Sequence, residues 1–270
     1  MSGSTTIRSL ERGLKVLRAL QEQPISSLHD IHQQTRISKP SLLRILHTLE
    51  HSGLIARRLA DGRYRISANL SHLARKRDRY DGVAEAAAPV LDRLCQKVSW
   101  PSDLMVPAGD HMEIRESSCV RTPFSTYFMH VRVGTPINWV LSAVGRAYLA
   151  YCPEHERQKI LVLLRKSNKP ENQLARDPKR FDRILAETRL YGYGTRDPSF
   201  IGGAYGRQTP DGLAGIAVPL LGRGRVHGVI NIIWPRAARK VEDMARDHLP
   251  DLQAAAAEIV SSIRNQTRRG

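Results

Sequence analysis

Apolar residues recur at three- and four-residue steps through Ile7, Leu10, Leu14, Leu17 and Leu20, while Arg8, Arg12, Lys15 and Arg18 fall on other faces. That spacing predicts an amphipathic helix over residues 7–21, closed by Pro24. Ser27 is the expected N-cap of a short second helix whose inward face is Leu28 and Ile31, with Asp30 where a capping box places Glu or Gln. After a turn at Thr35-Arg36-Ile37, Ser38 is expected to cap a third helix with Pro40 in its first turn, where a missing N–H costs least. Leu42, Ile45, Leu46 and Leu49 form its buried stripe, and the helix runs to about His51, with Gly53 as its stop. The period then changes to two: residues 54–58 and 64–67 flank Ala60-Asp61-Gly62-Arg63, a hairpin signal. Helix, helix, turn, helix and hairpin together predict a winged helix-turn-helix over residues 1–68.

Residues 69–81 carry the run Arg75-Lys-Arg-Asp-Arg79 and read as a charged linker helix. Residues 83–98 are helical in pattern, with a stripe of Val90, Leu91, Leu94 and Val98. Strands are expected at 104–106, 112–114, 215–220 and 226–234, and helices at 143–151, 154–164, 181–190 and 241–263. Strands interleaved with helices, without regular βαβ spacing, predict an α+β domain over residues 82–270.

Charge sharpens this division. The chain of 270 residues has 42 Lys and Arg against 26 Asp and Glu, a net of +16. Residues 1–80 hold 15 basic and 6 acidic residues, so more than half of the excess lies in under a third of the chain. Such an excess attracts a polyanion. Aromatics make up only 6%, which disfavours a base-stacking platform for single strands. No apolar run approaches the roughly 18 residues of a membrane span, and Met1–Thr6 has no hydrophobic stretch behind it. A cytoplasmic protein without a membrane partner is expected. Cys95, Cys119 and Cys152 are an odd set with no CxxC, and there is no HExxH, so ordinary buried thiols are expected and neither a metal nor a cofactor.

The third helix carries the recognition chemistry. Removing its buried stripe leaves Ser38, Lys39, Ser41, Arg44, His47 and Thr48 for an outer face entering the major groove. Arg44 can fork onto guanine, Ser41 and Thr48 can donate or accept, and Lys39 and Ser27 suit phosphates. Arg63 at the wing tip can reach a flanking minor groove. No GxSxG, P-loop or GxGxxG opening a helix supports an enzyme, and none is expected. A sequence-indifferent architectural DNA binder fits the charge but leaves about 190 residues of mixed domain without a task.

Ser9–Leu20 resembles the opening helix of IclR-type transcriptional regulators, and Ile37–Leu54 resembles their recognition helix. Gly134-Thr-Pro-Ile137 with Ala143–Ala150, and Gly215–Leu220, are similar to signature stretches of their effector domain. The resemblance spans nearly the whole chain. It implies a GAF-like effector-binding domain, dimers through the first helix and tetramers on DNA. Val98–Val106 and Leu149–Glu154 further resemble the branch of activators of aromatic-acid, and specifically hydroxyphenylpropionate, catabolism. That resemblance implies a regulator with double-stranded promoter DNA, a small organic acid effector, RNA polymerase and further copies of itself as partners. A repressor with an aliphatic acid effector is the alternative. Carried over by position, the effector-site candidates are Met129, Trp139, Ser142, Ala143, Val144 and Asn231, with Gly215 where some relatives have cysteine. His130 and Arg132 are the expected cationic partners of a carboxylate.

Overall fold

A computed structural model describes residues 6–67, 80–124, 132–203 and 210–269, and the chain divides into two compact units, residues 1–77 and 78–270. The first unit holds α1 (Arg8–Glu22), α2 (Leu28–Thr35), α3 (Lys39–His51) and the hairpin β1 (Ile55–Arg57) and β2 (Tyr64–Ile66). Its core joins Val16, Ala19 and Leu20 of α1 to Ile31, Ile37, Leu42, Leu46, Leu49, Ile55 and Tyr64. The apolar spacing of the first helix is only partly turned to this core. Leu20 is buried and Leu17 half-buried, but Ile7, Leu10 and Leu14 are 65%, 58% and 48% exposed.

Local chemistry sets the turns. Ser27 Oγ accepts from Asp30 N–H while the Asp30 carboxylate accepts from Ser27 N–H, so Asp closes the capping box in place of Glu. These hydrogen bonds from Ser27 hold the Asp30 carboxyl below its usual range. Arg36 takes a left-handed conformation (φ 58°) at the end of α2, and His32 Nδ1 donates to the Ile37 carbonyl at 2.7 Å. At the start of α3 Ser38 makes no cap to a backbone N–H, contrary to expectation; its hydroxyl donates to Ser41 Oγ at 3.0 Å. The wing pairs Ile55 with Ile66 and Arg57 with Tyr64, and Gly62 supplies the positive φ of its tip. Ser26 bridges Tyr64 as a third, one-residue strand.

The second unit is an antiparallel six-stranded sheet between helices. Its strands are β3 (Asp103–Ala108), β4 (His111–Ser117), β5 (Pro136–Ile137), β6 (Gly194–Thr195), β7 (Leu213–Gly222) and β8 (Arg225–Pro235), in the order β5-β4-β3-β8-β7-β6. Side chains alternate between faces along a strand. Leu104, Val106, Ala214, Ile216, Val218, Leu220, Ile230, Ile232 and Trp234 pack under α4 (Asp81–Val98) and α8 (Val241–Arg269). Met105, Ala217 and Val229 meet α5 (Ala143–Tyr151), α6 (Glu154–Lys166) and α7 (Pro178–Tyr191) on the other face. This is the α+β, GAF-like arrangement expected for the larger domain. The two-residue strands β5 and β6 and a 3-10 helix at Pro170–Arg176 were not legible from periodicity, being shorter than the window it needs. The helix α4 begins at Asp81, the last residue of the expected linker; residues 68–79, which hold most of that linker, lie outside the described residues.

One polar latch ties α5 to the sheet. Arg146 is buried and donates through Nε to Val140 O at 2.8 Å, through Nη1 to Thr195 O at 3.2 Å and through Nη2 to Asp197 Oδ2 at 2.8 Å. Gly145 is required beside it, because a Cβ there would stand 2.0 Å from the Trp139 carbonyl oxygen.

Candidate nucleic-acid interface and ligand cavity

The outer face of α3 is built by subtraction. Packing of Leu42, Leu46 and Leu49 turns Lys39, Arg44, His47 and Thr48 to solvent, while Ser41 is half-buried. Ser41, Arg44 and Thr48, spaced for one helical flank, line a shallow groove whose opposite wall is Ser9, Leu10, Arg12 and Gly13 of α1. Arg12 thereby joins Arg44 as a second cation at this groove, a neighbour that linear reading missed. On the other side of the face Leu43 is exposed beside Lys39 and His47. An exposed leucine at this position suits contact with a thymine methyl.

The expected contacts are not equally available. Thr48 Oγ1 donates to the Arg44 carbonyl at 2.9 Å, which leaves it as an acceptor. Ser27 Oγ is occupied as an acceptor by the capping box, which leaves its O–H to donate. Arg63 stands exposed at the wing tip, 3.9 Å from Asp61, and Arg58 reaches the same carboxylate at 3.4 Å. Arg57 is held across the loop, donating to Gly62 O at 3.0 Å.

The cavity lies wholly in the second unit, on the α5 face of the sheet. It is a partly open cleft with room of about 80 Å³. Of the residues expected there, Ser142, Ala143, Val144 and Asn231 line it, as does Gly215. Ser142 caps α5, its Oγ accepting from Gly145 N–H at 3.0 Å, so the positive end of that helix forms one wall. Trp139 does not line the cavity: it is fully buried, its Nε1 donates to Gly109 O at 3.2 Å, and its ring meets Tyr148 edge-on at 5.4 Å. Its size and apolarity signalled core as readily as ligand. Met129 and His130 lie outside the described residues. Arg132 is exposed and is not among the lining residues.

Among the described residues the cation lining the cavity is Arg196. It follows β6, pairs with Asp211, and lies over the Phe200 ring at 4.5 Å. Its Nε is buried without a hydrogen-bond partner. Nearby, Asp103 is fully buried at the start of β3. Its backbone N–H donates to Asn231 Oδ1 at 2.7 Å, and its Oδ1 accepts from Ser117 Oγ at 2.6 Å, with Cys119 Sγ at 3.7 Å. Its Oδ2 has no partner. Burial pushes the Asp103 carboxyl above the usual range, outweighing the hydrogen bonds of Ser117, Asn231 and Cys119 and the charge of Arg196. Neither Asp103 nor Arg196 was legible as a site residue, because β3, β6 and β8 bring them together only in space.

Burial likewise raises all three thiols, Cys152 to about 12, so they are poor nucleophiles. Among the described residues no cluster of His, Cys, Asp and Glu is arranged to hold a metal ion, and no helix is long and apolar enough to cross a membrane.

Residues 9–59 match the model of the IclR helix-turn-helix domain. Over 97% of its length the chain is 26% identical to a probable transcriptional regulator, SauR, of Cupriavidus necator, covering 98% of that protein. Among solved structures it is similar to an IclR-family transcriptional regulator from Brucella abortus, with 24% identity, a TM-score of 0.54 and coverage of 96% of this chain and 93% of that one. It is also similar to an IclR homologue from Microbacterium hydrocarbonoxydans complexed with 4-hydroxybenzoate, with 21% identity, a TM-score of 0.51 and coverage of 95% and 99%.

Proposed function

Taking the chain as an IclR-type transcriptional regulator, we propose that α3 and the wing bind double-stranded promoter DNA sequence-specifically and that the cavity binds a small aromatic acid. In this reading the protein activates an aromatic catabolic operon. Lys39 and Ser27 hold phosphates, Arg44 reads a base, and Arg63 enters the flanking minor groove. The observation that carries the reading is the pairing of two features in one chain: a solvent-facing basic helix face, and a separate cavity with unmet polar atoms. Buried polar groups in native proteins almost always have partners, so those in a cavity argue for a ligand. The 4-hydroxybenzoate bound by the Microbacterium homologue supports an aromatic acid as its class.

The protein acts as a homodimer or tetramer, with α1 the first contact between copies. Ile7, Leu10 and Leu14 form an exposed apolar stripe at helical spacing, which one copy alone leaves in water. Leu10→Glu with Leu14→Glu is expected to reduce the solution mass toward that of a monomer.

Ligand binding regulates only if the acid has different affinities for the DNA-competent and incompetent states. A thermal-shift screen of the full chain against hydroxylated phenylpropionates, benzoates and short aliphatic keto acids tests the sensor half, since a ligand of the native state raises Tm. A rise with an aromatic acid, and a change in DNA binding with it, supports the proposal. A rise with aliphatic acids alone overturns the aromatic assignment, and no rise overturns the sensor.

A further inference from the structure

We propose that Arg196, Asn231 and Asp103 form the receptor for the carboxylate of the effector, with Arg196 Nε and the Asn231 amide donating to it and Asp103 contributing a carboxyl proton. The inference rests on the reading of the cavity as the effector site and names the atoms that give it specificity.

All three residues line the same cavity. Two of these residues carry a buried side-chain atom without a hydrogen-bond partner, Arg196 Nε and Asp103 Oδ2. An orphaned buried donor is destabilising, a cost that a ligand oxygen removes on arrival. Asp211 already occupies Nη2 of Arg196, so the guanidinium is charge-balanced while its Nε has no partner. Asn231 turns Oδ1 to the Asp103 backbone N–H, which leaves its NH2 group as the end with donors to offer the cavity.

Around Asp103 stand Ser117 on β4, Cys119 after it, Asn231 on β8, Cys95 on α4 and Arg196 after β6. Arg196 is the only cation among them, and it already has Asp211. A buried carboxyl in that company is held neutral, as its raised pKa agrees. A neutral Asp103 donates through Oδ2, so the corner presents donors from three residues. That set matches a carboxylate and discriminates against a primary amide, whose NH2 would face donors.

The test uses the full chain, with calorimetric titration of 3-phenylpropionate, 4-hydroxybenzoate and pyruvate, each beside its primary amide. The expected result is that an acid binds and its amide does so about 10- to 100-fold more weakly, the loss typical of a hydrogen bond to a charged group. Asn231→Asp keeps the acceptor for the Asp103 N–H and replaces the donor with an anion, so it is expected to weaken the acid by a similar factor. Arg196→Gln should do the same; because it also strips Asp211 of its partner, Asn231→Asp is the decisive variant. Asp103→Asn reproduces the neutral acid, so it should keep binding and abolish the decline in affinity that the wild type shows as pH rises. Equal binding of acid and amide, unchanged affinity in Asn231→Asp, or loss of binding in Asp103→Asn at every pH overturns the receptor while leaving the sensor reading intact. Binding of none of these acids to the wild-type chain overturns both.

Discussion

The two units treat their polar groups in opposite ways. In the first, polar side chains are either satisfied within a few residues of themselves, as in the Ser27–Asp30 box, or left in water, as on α3. In the second, Asp103, Arg146 and Asn231 are buried, the Arg196 side chain is only 10% exposed, and all four are drawn from elements far apart in the chain. A surface that must meet a large polyanion can stay hydrated until the partner arrives. A cavity must pay desolvation in advance, and it does so only where latches hold the walls.

The strongest way to break this contrast is at the latch. Arg146→Met is expected to cost about 3–5 kcal/mol of stability in the second unit, because the buried pair with Asp197 loses one partner and two carbonyls lose their donor. Chemical denaturation followed through Trp139 and Trp234, both in that unit, would measure it. Next comes Arg44→Ala, expected to weaken specific DNA binding by about 1–3 kcal/mol and relax one base position. Lys39→Ala should instead weaken all sequences alike and reduce the salt slope by about 1. Competition binding with single-base operator variants separates the two behaviours.

Ser27→Ala should cost about 1 kcal/mol in the first unit through loss of its cap to Asp30 N–H, read as a lower Tm. Asp103→Asn sharpens the comparison by its sign. The folded pKa of Asp103 is raised, so its contribution to stability is full below the unfolded value of 3.8 and is lost as pH rises through the folded value. Asp103→Asn removes that loss. Tm near neutral pH should rise, and its decline toward alkaline pH should flatten.

The same contrast explains what could be read from the chain. α2, α3 and the wing follow from caps, period and an Asp-Gly turn, all encoded within a few residues of the structure they set. The first helix is the instructive exception. Period alone predicted an apolar face through Ile7, Leu10 and Leu14, yet Val16, Ala19 and Leu20 are the residues that pack, since periodicity shows that a face is apolar but not what covers it. At the cavity, Ser142, Ala143, Val144 and Asn231 came from resemblance and do line it. Arg196 and Asp103 carry no local mark: one follows a two-residue strand, the other opens a strand whose pattern reads as ordinary, and only the sheet order brings them together. Trp139 shows the reverse error, a residue adjacent in sequence to the cavity wall but turned into the core.

The most direct test of the central claim is selection of duplexes from a random DNA library by the full chain, followed by affinity for the selected and random sequences at one fixed salt concentration. The account predicts a selected duplex bound at least about 10³-fold tighter than random DNA. Selected and random duplexes bound alike, with affinity falling in the same way as salt rises, would contradict it and leave only a backbone-binding protein.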